Sequence, residues 1–126
     1  MRNLLIADDD RLLREAFRAA LEVDGYAVYE AGTMEEALRM VAEREFEVVL
    51  SDVYMPGNGL TLLRRLREVS PESSVVLITG FDRSSDEAEA KALGAFAYLR
   101  KPLSLLRLRE TIREAMAAAD GNAAQR

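Results

Sequence analysis

A chain of 126 residues, 49% hydrophobic and 31% charged, is long enough for one packed core, too short for two, and too apolar to be disordered. Its formal net charge of −5 argues against direct nucleic-acid binding, and no apolar run approaches the roughly 18 residues of a membrane span. Cysteine and histidine are both absent, which excludes disulfides, thiol nucleophiles, Ser-His-Asp triads, imidazole metal sites and phosphohistidine. Any chemistry must run on carboxylates, hydroxyls, Lys, Arg or a bound ion, and a cytoplasmic location is the expected default.

Leu4 to Ala7 is a continuous apolar run ahead of Asp8-Asp9-Asp10 and reads as a first strand with a turn behind it. Asp10 is placed to cap a helix with Leu12, Leu13, Ala16, Phe17, Ala20 and Leu21 on its apolar face, stopped by Asp24-Gly25. Tyr26 to Ala31 is the second strand. Thr33-Met34-Glu35-Glu36 has the form of a capping box before a helix with Ala37, Leu38 and Val41 inward. Val48 to Asp52 is a third strand, ended by the Pro56-Gly57 turn. The helix that follows carries Leu60, Leu63, Leu66 and Val69 inward and breaks at Ser70-Pro71.

Val75 to Ile78 forms the fourth strand, with Thr79-Gly80 at its end. Ser84-Ser85-Asp86-Glu87 opens a fourth helix that reaches Leu93 and closes at Gly94. It is rich in Ala and poor in large apolar residues, so weak docking is expected. Ala95 to Leu99 is the fifth strand, leaving through Arg100-Lys101-Pro102, and Ser104 caps a last helix with Leu105, Leu108, Ile112, Ala115 and Met116 inward. Residues 1–119 are expected to form one domain and 120–126 a flexible C-terminal tail. Apolar strands alternating with helices imply an α/β fold: a five-stranded parallel sheet, doubly wound, with helices on both faces.

Ligands of such sheets bind beyond the carboxyl ends of the strands. The first strand delivers Asp8 and Asp9 there, the third Asp52, the fourth Thr79 and the fifth Lys101. Two carboxylates about 5 Å apart repel by roughly 3 kcal/mol at an effective dielectric near 20, so three sharing a crevice call for a proton or a cation. Oxygen ligands alone favour a hard ion, and Mg²⁺ suits a site that keeps several waters. With a Lys and a hydroxyl beside it, the pocket is suited to a phosphoryl group that Asp52 can accept as an acyl phosphate. Singly, each residue has a plainer reading as a turn, a cap or a solvated strand end. A metal-dependent phosphohydrolase using the Asp8-Asp9-Asp10 run is a rival, and a nucleotide-binding module lacks its glycine-rich loop.

Ile6-Ala7-Asp8-Asp9-Asp10, Leu50-Ser51-Asp52-Val53-Tyr54-Met55-Pro56-Gly57, Leu77-Ile78-Thr79-Gly80 and Tyr98-Leu99-Arg100-Lys101-Pro102 resemble the receiver domains of two-component response regulators. The likeness runs from about Arg2 to Ala118, and the Gly94 to Leu99 run is most similar to receivers of the nitrogen-regulator type. It implies a flavodoxin-like (βα)5 fold with strand order 2-1-3-4-5. It implies Asp52 as phosphoacceptor; Asp8, Asp9, Asp52 and the backbone carbonyl of Tyr54 as Mg²⁺ ligands; and Lys101 as the phosphoryl-binding lysine. Thr79 would be the switch hydroxyl and Tyr98 the switch aromatic.

The implied partners are a histidine kinase or phosphotransfer protein and a second copy bound through helix 4, strand 5 and helix 5. The implied role is a signalling module, not an enzyme, that slowly loses its own phosphoryl group. A pseudo-receiver that binds partners without phosphorylation is the alternative. Two departures stand out. The segment from Asp52 to Gly59 looks one residue shorter than the usual form, and Tyr54 and Phe81 are bulky where the resemblance places the path of the hydrolytic water.

Overall fold

The structure, a computed structural model, describes residues 2–81 and 85–124, with the last three as backbone only. Five strands and five helices alternate along the chain. They are β1 (Asn3–Ala7), α1 (Arg11–Val23), β2 (Ala27–Ala31), α2 (Met34–Glu43), β3 (Val48–Asp52), α3 (Gly59–Val69), β4 (Ser74–Thr79), α4 (Asp86–Ala92), β5 (Ala97–Arg100) and α5 (Leu105–Ala124). All pairings are parallel and the sheet order is β2-β1-β3-β4-β5, as the resemblance implied. The order reverses between β1 and β3, which opens a crevice at their carboxyl ends.

The pleat sorts the apolar strands into two cores. Leu5, Val49, Val75, Leu77 and Tyr98 pack with Phe46, Leu62, Leu63, Leu66 and Ala90 on one face. Leu4, Ile6, Val48, Leu50, Val76, Ile78 and Leu99 pack with Phe17 and Leu21 of α1 and Leu108, Ile112, Ala115 and Met116 of α5 on the other. Residues 48–52 and 74–79 are buried throughout, as central strands covered on both faces must be.

The caps form largely as the sequence reads. Asp10 accepts from the Leu13 N–H at 3.2 Å and Thr33 from the Glu36 N–H at 3.2 Å, while Glu36 reaches the Gly32 N–H at 3.4 Å. Three apolar residues expected inward lie outside: Leu12 is 77% exposed, Val69 56% and Leu105 50%. Ala16 is exposed as well. In α1 the buried line follows Phe17 and Leu21 with Leu13 packed beside them, and Leu12 lies about 100° round the helix from Leu13. Val69 is the last residue of α3 and Leu105 the first of α5, where a helix has fewer packed neighbours. Leu62, by contrast, is fully buried.

The fourth helix spans seven residues and buries Asp86 and Ala90; Ser85 stands at its N-cap without a side-chain cap bond. The opening expected at Ser84 lies outside the described residues. Helix α5 continues to Ala124, through most of the stretch expected as a tail, and residues 125–126 lie outside the described residues. No helix among the described residues is long and apolar enough to cross a membrane.

Candidate functional site

Register brings the strand ends together. Ala7 pairs with Ser51, Asp52 with Ile78 and Thr79 with Arg100, so the residues at or just beyond these positions share one rim. Carboxylate oxygens of Asp8, Asp9 and Asp52 lie within 4.8 Å of one another. The Lys101 ammonium stands 3.5 Å from Asp52 Oδ2 and 3.6 Å from Asp8 Oδ2. Its backbone N–H donates to the Thr79 carbonyl at 2.7 Å, which anchors the β5 exit to the end of β4. Three separate segments thus supply three acids and a cation to one cleft, and Thr79 ends the strand between two of them.

Asp8 is 1% exposed and Asp52 7%, whereas Asp9 is exposed. Burial pushes the Asp8 carboxyl above its ordinary range, and the charges of Asp52 and Asp9 add to that; the Asp10 N–H, 2.8 Å from Asp8 Oδ1, and Lys101 act in the opposite direction. Asp8 Oδ2 has no hydrogen-bond partner among the described residues although it is buried. A buried carboxylate oxygen with no hydrogen bond, near two other acids and 3.6 Å from the Lys101 ammonium, is one that a hard divalent cation would complete, so the residues present fit Mg²⁺.

The chain after Asp52 turns sharply to make this rim. The Gly59 N–H donates to the Val53 carbonyl at 2.8 Å, and a Cβ on Gly59 would lie 2.3 Å from the Asp52 carbonyl oxygen, so only glycine allows α3 to start so close to the end of β3. Asn58 takes the left-handed conformation (φ 70°) and caps α3 at the Leu60 N–H, 2.7 Å away. The Tyr54 N–H donates to Asp52 Oδ1 at 3.3 Å, its hydroxyl donates to Asp86, and its ring meets Phe81 edge-on at 5.6 Å between centroids.

Thr79 is 1% exposed, and its hydroxyl bonds the Phe81 backbone, donating to the carbonyl and accepting from the N–H at 3.1 Å. The Tyr98 ring is 7% exposed within the core beside Leu77 and Ala90, with the Arg100 guanidinium 5.3 Å from its centroid. Two contributors escape a sequence reading. Asp86 meets Tyr54 across a gap of 32 positions, and Arg14 donates from α1 to the Asp8 carbonyl at 2.6 Å. A helical Arg or a first-turn Asp reads as solvated surface, so nothing in the residue string marks either one.

A family model for the response regulator receiver domain matches residues 4–113, and the chain belongs to that family, the receivers of two-component systems. Among its relatives, the transcriptional regulatory protein PmrA of Pectobacterium parmentieri is 36% identical over 111 residues, 87% of this chain and 50% of that protein. The chain therefore spans about half the length of that relative. A CheY-like receiver domain protein of Methanospirillum hungatei JF-1 superposes with a TM-score of 0.92 at 28% identity, covering 96% of this chain and 98% of the other. The beryllofluoride-activated NtrC4 receiver domain dimer superposes with a TM-score of 0.89 at 33% identity, covering 94% and 99%.

Proposed function

We propose that Asp52 accepts a phosphoryl group from a phosphohistidine on a partner kinase or phosphotransfer protein, or from a small acyl phosphate. The observation that carries this reading is the Lys101 ammonium between the Asp52 and Asp8 carboxylates, at 3.5 and 3.6 Å. An Asp52 oxygen attacks phosphorus in line; the P–N bond to the donor imidazole breaks, and its electron pair leaves on nitrogen. Lys101 neutralises charge on the equatorial oxygens. Asp8, Asp9, Asp52 and the Tyr54 carbonyl would hold Mg²⁺, which supplies Lewis-acid neutralisation of those oxygens when bound. Water later attacks the acyl phosphate, returning the carboxylate and inorganic phosphate.

The signal leaves through Thr79 and Tyr98. A phosphoryl oxygen competes with the Phe81 backbone for the Thr79 hydroxyl, and the space that Thr79 vacates admits Tyr98. Reversing a 1:99 equilibrium requires about 5.5 kcal/mol, within reach of a few charge-assisted hydrogen bonds at roughly 1.5–3 kcal/mol each. The surface of α4, β5 and α5 then presents a changed face to a partner or to a second copy, in a domain that works in the cytoplasm and leaves any nucleic-acid binding to other chains or segments. Incubation with a small acyl phosphate and Mg²⁺ should add one phosphoryl group by intact mass, and Asp52→Asn should abolish the addition. An unmodified wild-type chain, or undiminished labelling of the variant, would refute the assignment.

A further inference from the structure

We infer that Arg14 is a positioning residue for the acidic triad: it holds the peptide plane between Asp8 and Asp9 so that both carboxylates face the cleft. This rests on reading the triad as a divalent-cation site.

The Arg14 side chain is 16% exposed, and its Nη1 donates to the Asp8 carbonyl at 2.6 Å. That carbonyl belongs to the Asp8–Asp9 peptide, so fixing it fixes the direction in which Asp9 leaves the backbone. The guanidinium is itself held: Arg14 Nε donates to Glu30 Oε1 at 3.1 Å, and Glu30 Oε2 accepts from Arg18 at 3.0 Å. Glu30 is on β2, beside β1 in the sheet, and the Asp8 N–H donates to the Ala31 carbonyl at 3.0 Å. Both faces of Asp8 are thereby tied to the second strand, one directly and one through Arg14. Arg14 and Glu30 are not ligands in this scheme, and their partnership resembles the outer hydrogen bonds that orient ligands elsewhere.

The sign of the effect separates positioning from simple charge. Arg14 is a cation bonded to the backbone of the acidic run, so on Coulombic grounds its removal should tighten binding of a divalent ion. Positioning predicts the reverse. Glu30 sharpens the distinction, since its carboxylate offsets the Arg14 charge and leaves the geometric role dominant.

The test is calorimetric titration of the full chain with Mg²⁺ alone, without any phosphoryl donor. Arg14→Ala is expected to weaken Mg²⁺ affinity about tenfold, the lower end of what loss of an outer-shell partner costs. Arg14→Lys, which keeps the charge and one donor, should recover part of the loss. Arg18→Ala removes a comparable pair from the same carboxylate but leaves the Asp8 carbonyl bonded, and should bind Mg²⁺ as wild type does even if its urea midpoint falls. Unchanged or tighter binding by Arg14→Ala, or an equal loss in Arg18→Ala, would overturn the inference. A wild-type chain that binds no Mg²⁺ would instead overturn the reading of the triad itself, and this inference with it.

Discussion

Tyr54 serves two neighbours at once. Its amide meets Asp52 and its hydroxyl meets Asp86 at the first turn of α4, while the ring rests edge-on against Phe81. Such an edge-to-face pair contributes about 0.5–1.5 kcal/mol beyond the area it buries. Under the proposed phosphorylation of Asp52, this ring pair, tied to Asp52 through the Tyr54 amide, offers a hydrolytic water little polar surface on which to settle. Tyr54→Asn should therefore shorten the life of the acyl phosphate, on the order of tenfold or about 1.4 kcal/mol in the barrier. The check is release of inorganic phosphate from the labelled protein with time, wild type against variant; equal rates would remove the rings from the account.

At the scale of elements, α1 is pinned to its neighbours by charge as well as by Phe17 and Leu21. Arg109 of α5 grips Asp24, the C-cap of α1, through two bonds of 2.8 and 2.6 Å, and Glu30 of β2 takes Arg14 and Arg18 together. Burial pushes the Glu30 carboxyl up, but hydrogen bonds from Arg18 and Arg14 outweigh it and leave the group below its ordinary 4.5. A carboxylate depressed on folding stabilises the native state at pH values above the unfolded pKa, and that contribution fades as pH falls through the folded value. Glu30→Gln should thus be less stable than wild type by about 1 kcal/mol near neutral pH, a modest figure because the pair is partly wet. The two proteins should converge as the pH falls below 4.5 and through the depressed folded value. Urea unfolding at a series of pH values measures the gap, and a constant gap would count against the assignment. Helix α4 is lightly anchored: its seven residues bury one Ala and one Asp, which fits the proposal that it shifts when Asp52 is modified.

For the molecule as a whole, the clustered acids are expected to cost stability. Asp52 faces two like charges, Asp8 and Asp9, and is held by Lys101 and the Tyr54 N–H, so without a divalent ion repulsion by the acids competes with those two contacts. Each such pair is worth about 3 kcal/mol at an effective dielectric near 20, less at the exposed Asp9. Asp52→Asn in a chelating buffer should raise the unfolding free energy by about 1–2 kcal/mol, whereas Mg²⁺ should stabilise wild type more than the variant. Denaturant titrations with and without Mg²⁺ decide this. A variant less stable than wild type in chelator would mean that Lys101 outweighs both acids.

What the residue order settles by itself is the part of the molecule governed by local chemistry. Apolar runs of strand length, Asp10 and Thr33 at the caps, and Pro and Gly at the breaks identify the alternating elements, and Asp8, Asp52, Thr79 and Lys101 are legible because each stands at the end of such a run. Periodicity could not tell how wide a strip of each helix would be covered or how far along it, and so Leu12, Val69 and Leu105 read as inward when they are not. Only the tertiary structure decides that Arg14 stands behind Asp8, that Tyr54 reaches Asp86, and that the acids come within 4.8 Å with Lys101 between two of them. Those are through-space relations across parallel crossovers. Helical spacing carries an Arg to a flank of α1, but the register of β1 against β2 determines which carbonyl it meets there.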